Sequence, residues 1–116
     1  MNIEALREYC LQKPGVEEGF PFGEETMVFK VGSKIFLLAS LEESNRFNAK
    51  CDPDLAVELR DRHEEVIPGY HMNKKHWNTV YMDGRLTRQQ LHEIIDHSYG
   101  LVFSSLPKKV QAEIRP

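Results

Sequence analysis

The clearest indication of the fold is the stretch Thr26-Met-Val-Phe-Lys-Val-Gly-Ser-Lys-Ile-Phe-Leu-Leu-Ala-Ser-Leu41. Apolar residues recur at every second position from 27 to 31, which is the period of a β-strand. Gly32-Ser33 suits a two-residue hairpin turn, because glycine adopts positive φ at little cost. The middle of the second half, residues 36–39, is apolar on both faces, as is typical of a strand inside a sheet. The sequence therefore predicts an antiparallel hairpin at the centre of a sheet.

Helices and a further strand are predicted on both sides of this hairpin. Asn2 can cap a first helix, which a Pro-Gly pair at residues 14 and 15 would end. Residues 46–51 predict a third strand, so that the opening sheet is an antiparallel meander. Asp52-Pro53 is typical of an N-cap followed by proline in the first turn, and it predicts a second helix that ends near His63.

The C-terminal part of the chain predicts one more strand and two helices. Residues 77–82 alternate as a strand does, and Thr87 and Gln90 form the capping box of a third helix. Gly100 interrupts the apolar spacing of that helix, so we expect the helix to end between residues 99 and 104. A short last helix follows. Together these elements predict an α+β fold.

Length and composition indicate one globular domain over residues 1–116. Hydrophobic residues make up 41% of the chain, yet no apolar run approaches the ~18 residues that a membrane span requires. We therefore expect no membrane association. The start, Met1 to Glu4, lacks the basic and apolar segments of a secretory signal, which favours a cytoplasmic location. Cys10 and Cys51 stand far apart, which favours two reduced, half-buried thiols over a disulfide or zinc site.

The net charge argues against general binding of polyanions, but the distribution of charge permits a local basic surface. The formal net charge is −3, whereas non-specific nucleic-acid affinity comes mainly from neutralising phosphates. Residues 69–88 differ from the rest, since they carry Lys74, Lys75, Arg85 and Arg88 against a single acidic residue. This segment predicts a local basic surface.

Several motifs in order along the chain carry a family resemblance. They are Phe22-Gly23-Glu24-Glu25, Phe29-Lys30-Val31, Lys50-Cys51-Asp52-Pro53, Pro68-Gly69-Tyr70-His71-Met72-Asn73-Lys74-Lys75-His76-Trp77 and Ser98-Tyr99. Over residues 20–106 the chain resembles the MmcQ/YjbR family. The resemblance implies a CyaY-like two-layer sandwich, in which helices cover one face of an antiparallel sheet. It also implies DNA binding through a double-wing arrangement of hairpins.

The candidate nucleic-acid-binding residues lie in the basic loop and at one hairpin. Lysines and histidine can donate to phosphates, and Tyr70 or Trp77 can stack on an unpaired base. The candidates are Lys34, Tyr70, His71, Asn73, Lys74, Lys75, His76 and Trp77. Structural explanations stay open beside this one: Trp77 begins a strand, where packing into the sheet is favoured, and adjacent lysines often only solubilise a loop. Lys34 is equally well explained as a charged hairpin flank.

No enzyme motif is present, and we expect no catalytic residue, no cofactor and no metal site. The five histidines have no ligand spacing typical of zinc. Glu4 and Glu8 share a face of the first helix, and the CyaY-like fold is similar to that of frataxins, which bind iron through acidic residues. That analogy alone supports metal handling, which we place behind DNA binding. The remaining alternative is a module that binds a protein or small ligand on the same sheet surface, without nucleic acid.

Overall fold

A six-stranded antiparallel sheet forms one layer of the molecule, and four helices form the other. The computed structural model describes residues 1–70 and 72–115. The strands are β1 (Val16–Gly19), β2 (Thr26–Val31), β3 (Lys34–Ser40), β4 (Arg46–Lys50), β5 (Val66–Pro68) and β6 (Trp77–Tyr81). The helices are α1 (Ile3–Leu11), α2 (Pro53–Arg62), α3 (Arg88–Ser105) and α4 (Lys108–Ile114). The spatial order of the strands is β1-β2-β3-β4-β6-β5, and the predicted α+β two-layer fold is confirmed.

The hairpin predicted at the centre of the sheet is confirmed. β2 pairs with β3, and β3 lies between β2 and β4 inside the sheet. The turn residues Gly32 and Ser33 have φ angles of 56° and 68°, the positive values that a two-residue hairpin turn requires. A Cβ atom on Gly32 would lie only 2.5 Å from Leu106 Cδ1. The positive φ therefore favours glycine at this turn, and a larger residue would force the end of the Leu106 side chain to shift.

Two short edge strands were not predicted from the sequence. β1 has four residues, two of them glutamates, and β5 has three and ends in a proline. Neither is long enough to show an apolar alternation of its own. Each one exists because it pairs with a longer neighbour, β1 with β2 and β5 with β6.

The prediction that the third helix ends between residues 99 and 104 is wrong, because α3 continues to Ser105. Gly100 lies inside the helix, and a Cβ atom there would meet nothing within 4 Å. Glycine costs about 1 kcal/mol relative to alanine in a helix. The burial of Tyr99 and Val102 on either side offsets that cost and carries the helix past the glycine.

One core lies between the sheet and the helices. Met27, Phe29 and Val31 of β2 turn toward the helices and join Leu91 and Ile95 of α3 in a single buried cluster. Because side chains alternate along a strand, the residues between them face away from the helices. The helical layer therefore covers one face of the sheet and leaves the other face without a helix.

Both cysteines are free and buried, so the expectation of half-buried thiols is wrong. Cys10 is on the buried face of α1 and lies in the core, and Cys51 follows β4. Burial raises the pKa of the Cys10 thiol to about 12 and that of Cys51 to about 11. Neither thiol is a reactive nucleophile at neutral pH.

A buried hydroxyl joins α3 to the sheet. Ser98 donates to the carbonyl of Phe36 and accepts from the backbone N–H of Lys50 at 2.9 Å. β3 and β4 pair at Leu37–Ala49, so Phe36 and Lys50 stand at the next position of the ladder. The hydroxyl therefore bridges the two strands at the point where their pairing ends.

Replacing Ser98 with alanine is expected to lower the free energy of unfolding by about 2 kcal/mol, because a buried N–H and a buried C=O lose their partner. Urea denaturation followed by circular dichroism measures this loss. Ser104→Ala, at an exposed position of the same helix, should change stability by less than about 0.5 kcal/mol. Equal losses in the two variants would contradict the role of the hydroxyl.

Candidate nucleic-acid interface

A row of side chains crosses the sheet face that carries no helix. Val28, Leu38, Asn48 and Thr79 are successive partners across β2, β3, β4 and β6. Paired residues of neighbouring strands lie on the same face, and these alternate with the residues of the helix-facing core. The row changes from apolar to polar as it passes from β3 to β4.

Two loops rise on opposite sides of this row and form a groove. Residues 20–25 precede β2 and carry Phe22, whereas residues 69–76 precede β6 and carry Tyr70. The groove between them has a volume of about 520 Å³, and Leu38, Asn48 and Thr79 line it. Phe22 is 65% exposed and Tyr70 is 58% exposed. Two large aromatic side chains, each more than half exposed, therefore lie at the sides of one groove.

The polar residues in the groove are held by hydrogen bonds. The backbone N–H of Tyr70 donates to Thr79 Oγ1 at 2.9 Å, and the Thr79 hydroxyl donates to Asn48 Oδ1. These bonds orient the Asn48 amide, whose N–H₂ group has no acceptor among residues 1–70 and 72–115. Asn48 thus offers two hydrogen-bond donors to a molecule in the groove.

The two ends of this face carry opposite net charges. Lys50 pairs with Trp77 and follows Asn48 on the same face, beside the basic loop. At the other end, Glu42 and Glu43 line the groove together with Arg46, which forms an ion pair with Glu43. Coulombic repulsion from Glu42 raises the pKa of the nearby Glu25 carboxyl, so this end keeps an excess of negative charge. An anionic ligand is therefore favoured at the Lys50 end and disfavoured at the glutamate end.

An arginine of α2 holds the basic loop in place. Arg60 Nε donates to Asn78 Oδ1 at 2.7 Å, and its terminal nitrogen donates to the carbonyls of Lys74 and Trp77. Gly69 N–H donates to the Trp77 carbonyl at 2.9 Å, and a Cβ atom on Gly69 would lie 2.9 Å from that oxygen. The close approach of the two strand ends requires glycine at residue 69.

The predicted residues of this loop have different roles in the structure. Asn73 Oδ1 accepts the backbone N–H groups of Lys75 and His76, so its side chain folds the loop. The Lys74 ammonium donates to the Gly69 carbonyl at 3.1 Å. Lys75 and His76 are exposed.

The other predicted site residues are spread over the surface. Trp77 is half-buried at the start of β6, and Tyr70 lines the groove. Lys34 lies elsewhere, with its ammonium 3.5 Å from Ser105 Oγ at the end of α3. His71 lies outside the described residues.

Five residues of the candidate site were not predicted from the sequence: Phe22, Leu38, Asn48, Lys50 and Thr79. Strand alternation contained part of the signal, since Asn48 and Lys50 stand two apart on β4, and Thr79 stands two after Trp77. The position of Phe22 above the same face depends on the path of its loop, which no local pattern shows.

Comparison with known proteins assigns this architecture to a family. A family model described as YjbR matches residues 11–101. The chain belongs to the YjbR family. Residues 11–101 include both loops of the groove, the row of paired residues in its floor and Arg60.

Relatives in bacteria match the chain over nearly their whole length. The uncharacterised protein YbdF of Escherichia coli O157:H7 is 40% identical, covering 97% of this chain and 93% of that protein. The uncharacterised protein YjbR of E. coli K12 is 36% identical over 94% of this chain and 93% of its own. The family resemblance noted in the sequence is thereby confirmed.

Solved structures share the fold of this YjbR-family chain. A crystal structure of the Deinococcus radiodurans protein DR2400 superposes with a TM-score of 0.89 at 38% identity, covering 97% of this chain and 86% of that one. A Pseudomonas syringae protein gives a TM-score of 0.75 at 26% identity, covering 88% and 99%.

Two structural features, a membrane-spanning helix and a metal-binding cluster, are absent from the described residues. Across residues 1–70 and 72–115, no helix combines the length and apolarity needed to cross a bilayer. In the same part of the chain, no three His, Cys, Asp or Glu side chains come together in a group able to hold a metal ion.

Proposed function

We propose that this YjbR-family chain is a non-enzymatic module that binds single-stranded DNA on the helix-free face of its sheet. The observation that carries the proposal is the pair of exposed aromatic residues, Phe22 and Tyr70, on either side of a groove with polar residues in its floor. Unpaired bases stack on exposed aromatic rings, and an open sheet is a common platform for them. In a duplex the faces of the bases are stacked on each other and cannot meet these rings.

The floor of the groove suits the edge of a base. Asn48 offers amide donors, and bases present ring-nitrogen and carbonyl acceptors. Stacking on an aromatic side chain contributes about 1–3 kcal/mol per base and tolerates every base. Binding of this kind depends little on sequence.

The phosphates are assigned to the basic end of the face. Lys50 pairs with Trp77 there, and Lys74 and Lys75 belong to the loop that leads into Trp77, whereas Glu25 and Glu42 at the opposite end repel phosphates. The footprint is therefore short and the affinity modest. We place this activity in the cytoplasm, since Cys10 and Cys51 are both free thiols, as proteins of a reducing compartment usually have.

Saturable binding to a labelled oligodeoxythymidylate is expected, and it should weaken as salt rises from about 50 to 200 mM. Removing two phosphate contacts with Lys74→Ala/Lys75→Ala should reduce the slope of log affinity against log salt by about one to two units. Fluorescence anisotropy measures both quantities. A hairpin duplex of equal length should bind more weakly, because its bases cannot stack on the protein.

The matched control removes two positive charges from the helical layer. Lys108→Ala/Lys109→Ala changes two exposed lysines of α4, which packs against the core on the helical side. This variant should keep the wild-type salt slope to within about half a unit. No binding at low salt would contradict the function, and equal changes in the two variants would contradict the site.

A second candidate is a small-ligand module in the same groove. The observation that favours it is the excess of negative charge at one end of the groove: Glu42 and Glu43 line it, Glu25 lies beside Glu42, and Arg46 pairs with Glu43. This excess suits an aromatic cation rather than a phosphate. Benzamidinium tests this alternative. Stabilisation by benzamidinium in a thermal-shift assay, without any oligonucleotide binding, would favour it over DNA.

A further inference from the structure

A second cavity lies in the helical layer, on the opposite side of the sheet from the groove. α2 and α3 form its walls, with the half-buried side chains of Leu55, Leu59 and Ile94. Two buried residues, Cys51 and Leu86, also line it. Its volume is about 200 Å³. The cavity is therefore small, largely apolar and separate from the proposed DNA site.

His97 supplies a hydrogen-bond donor in this apolar lining. The backbone N–H of Asp52 donates to His97 Nε2 at 3.1 Å, so the neutral imidazole carries its hydrogen on Nδ1. Burial lowers the pKa of His97, which keeps the ring neutral at pH 7. In the part of the chain that the structure describes, no protein acceptor is bonded to Nδ1. Because His97 also lines the cavity, its Nδ1–H group is the candidate donor to a molecule bound there.

The charges at the cavity balance each other. Arg62 and Glu93 both line it, one from each helix, and His63 lines it beside Arg62. Arg62 also pairs with Glu58 at 3.3 Å, and Glu93 accepts from Gln89 at 3.4 Å. A balanced rim and a neutral histidine do not compensate a buried ion, whose desolvation is costly. The cavity therefore favours an uncharged ligand.

Size restricts the ligand to about one ring. An engineered apolar protein cavity of about 150 Å³ binds benzene, so about 200 Å³ accommodates one ring with a short substituent. We propose that this cavity binds a small uncharged molecule with a single-ring apolar body and a carbonyl oxygen, which accepts a hydrogen bond from His97 Nδ1.

Acetophenone is a probe of this chemistry, and toluene is the matched probe without the oxygen. In a ¹H–¹⁵N correlation titration, both should shift the amides of Leu55, Leu59 and Ile94 saturably. His97→Met should weaken acetophenone binding about three- to ten-fold more than it changes toluene binding, which corresponds to one hydrogen bond. Leu55→Trp, at a half-buried position of the wall, fills the cavity and should abolish the shifts caused by both probes.

Several results would overturn this proposal, and none of them depends on DNA binding. The absence of saturable shifts with both probes would exclude the cavity as a binding site. Shifts that persist in Leu55→Trp would place the probes elsewhere, and equal changes in the affinities for acetophenone and toluene in His97→Met would remove the hydrogen bond. Tighter binding of benzoate than of acetophenone would show that the site prefers an anion.

Discussion

Replacing Phe22 and Tyr70 together with alanine is expected to weaken binding of oligodeoxythymidylate at least about thirty-fold. Each ring that stacks on a base contributes about 1–3 kcal/mol, and both rings are exposed at one groove. The fold should be unaffected, because substitutions at exposed positions usually change stability by less than about 0.5 kcal/mol. Anisotropy titrations at about 50 mM salt, with urea denaturation of each variant, measure both effects.

The loop before β2 provides the control for this variant. Phe20 is 46% exposed and lines a separate cleft beside Lys30 rather than the groove. Phe20→Ala removes a ring of equal size from the same loop and should leave the affinity within about two-fold. A double variant that loses less than about three-fold, or a control that loses as much, would contradict stacking in the groove.

Replacing Arg60 with methionine is expected to lower the free energy of unfolding by about 3 kcal/mol. The guanidinium bonds Asn78, which is 2% exposed, and the carbonyls of Lys74 and Trp77. Hydrogen bonds from charged groups contribute about 1.5–3 kcal/mol each, and methionine retains only the apolar stem of the side chain. Urea denaturation measures the loss, and amide hydrogen exchange in residues 72–76 should accelerate.

Arg62 on the same helix is the matched control for Arg60. Its side chain is 62% exposed and pairs with Glu58, an exposed residue one helical turn away. Arg62→Met should therefore cost no more than about 0.5 kcal/mol. If both variants lose the same stability, Arg60 does not hold the loop.

The central elements of the fold could be predicted because their signals are local. The hairpin of β2 and β3 shows alternation and a Gly-Ser turn, and α3 begins at a capping box that the structure contains. The edge strand β1 could not be predicted, since Val16-Glu-Glu-Gly19 carries no pattern and depends on its pairing with β2. Tertiary packing also extends α3 beyond Gly100, although glycine has a low helix propensity.

The candidate site was predicted only in part. The charges of the basic loop led to its prediction as a binding site. In the structure, however, the Asn73 side chain folds the loop, and the Lys74 ammonium donates to the loop backbone. The groove joins Phe22, Asn48 and Thr79, which are far apart in sequence and meet through strand order and register. Such a convergence depends on the pairing of β4 with β6, which composition and periodicity do not specify.

The most direct test of the central claim is a ¹H–¹⁵N correlation titration of the full chain with a short oligodeoxythymidylate. We expect saturable shifts at the amides of Leu38, Asn48, Lys50 and Thr79, whereas the amides of the helical layer should not shift. Shifts confined to α1, α3 and α4, or no shifts at low salt, would contradict single-stranded DNA binding by the helix-free face of the sheet.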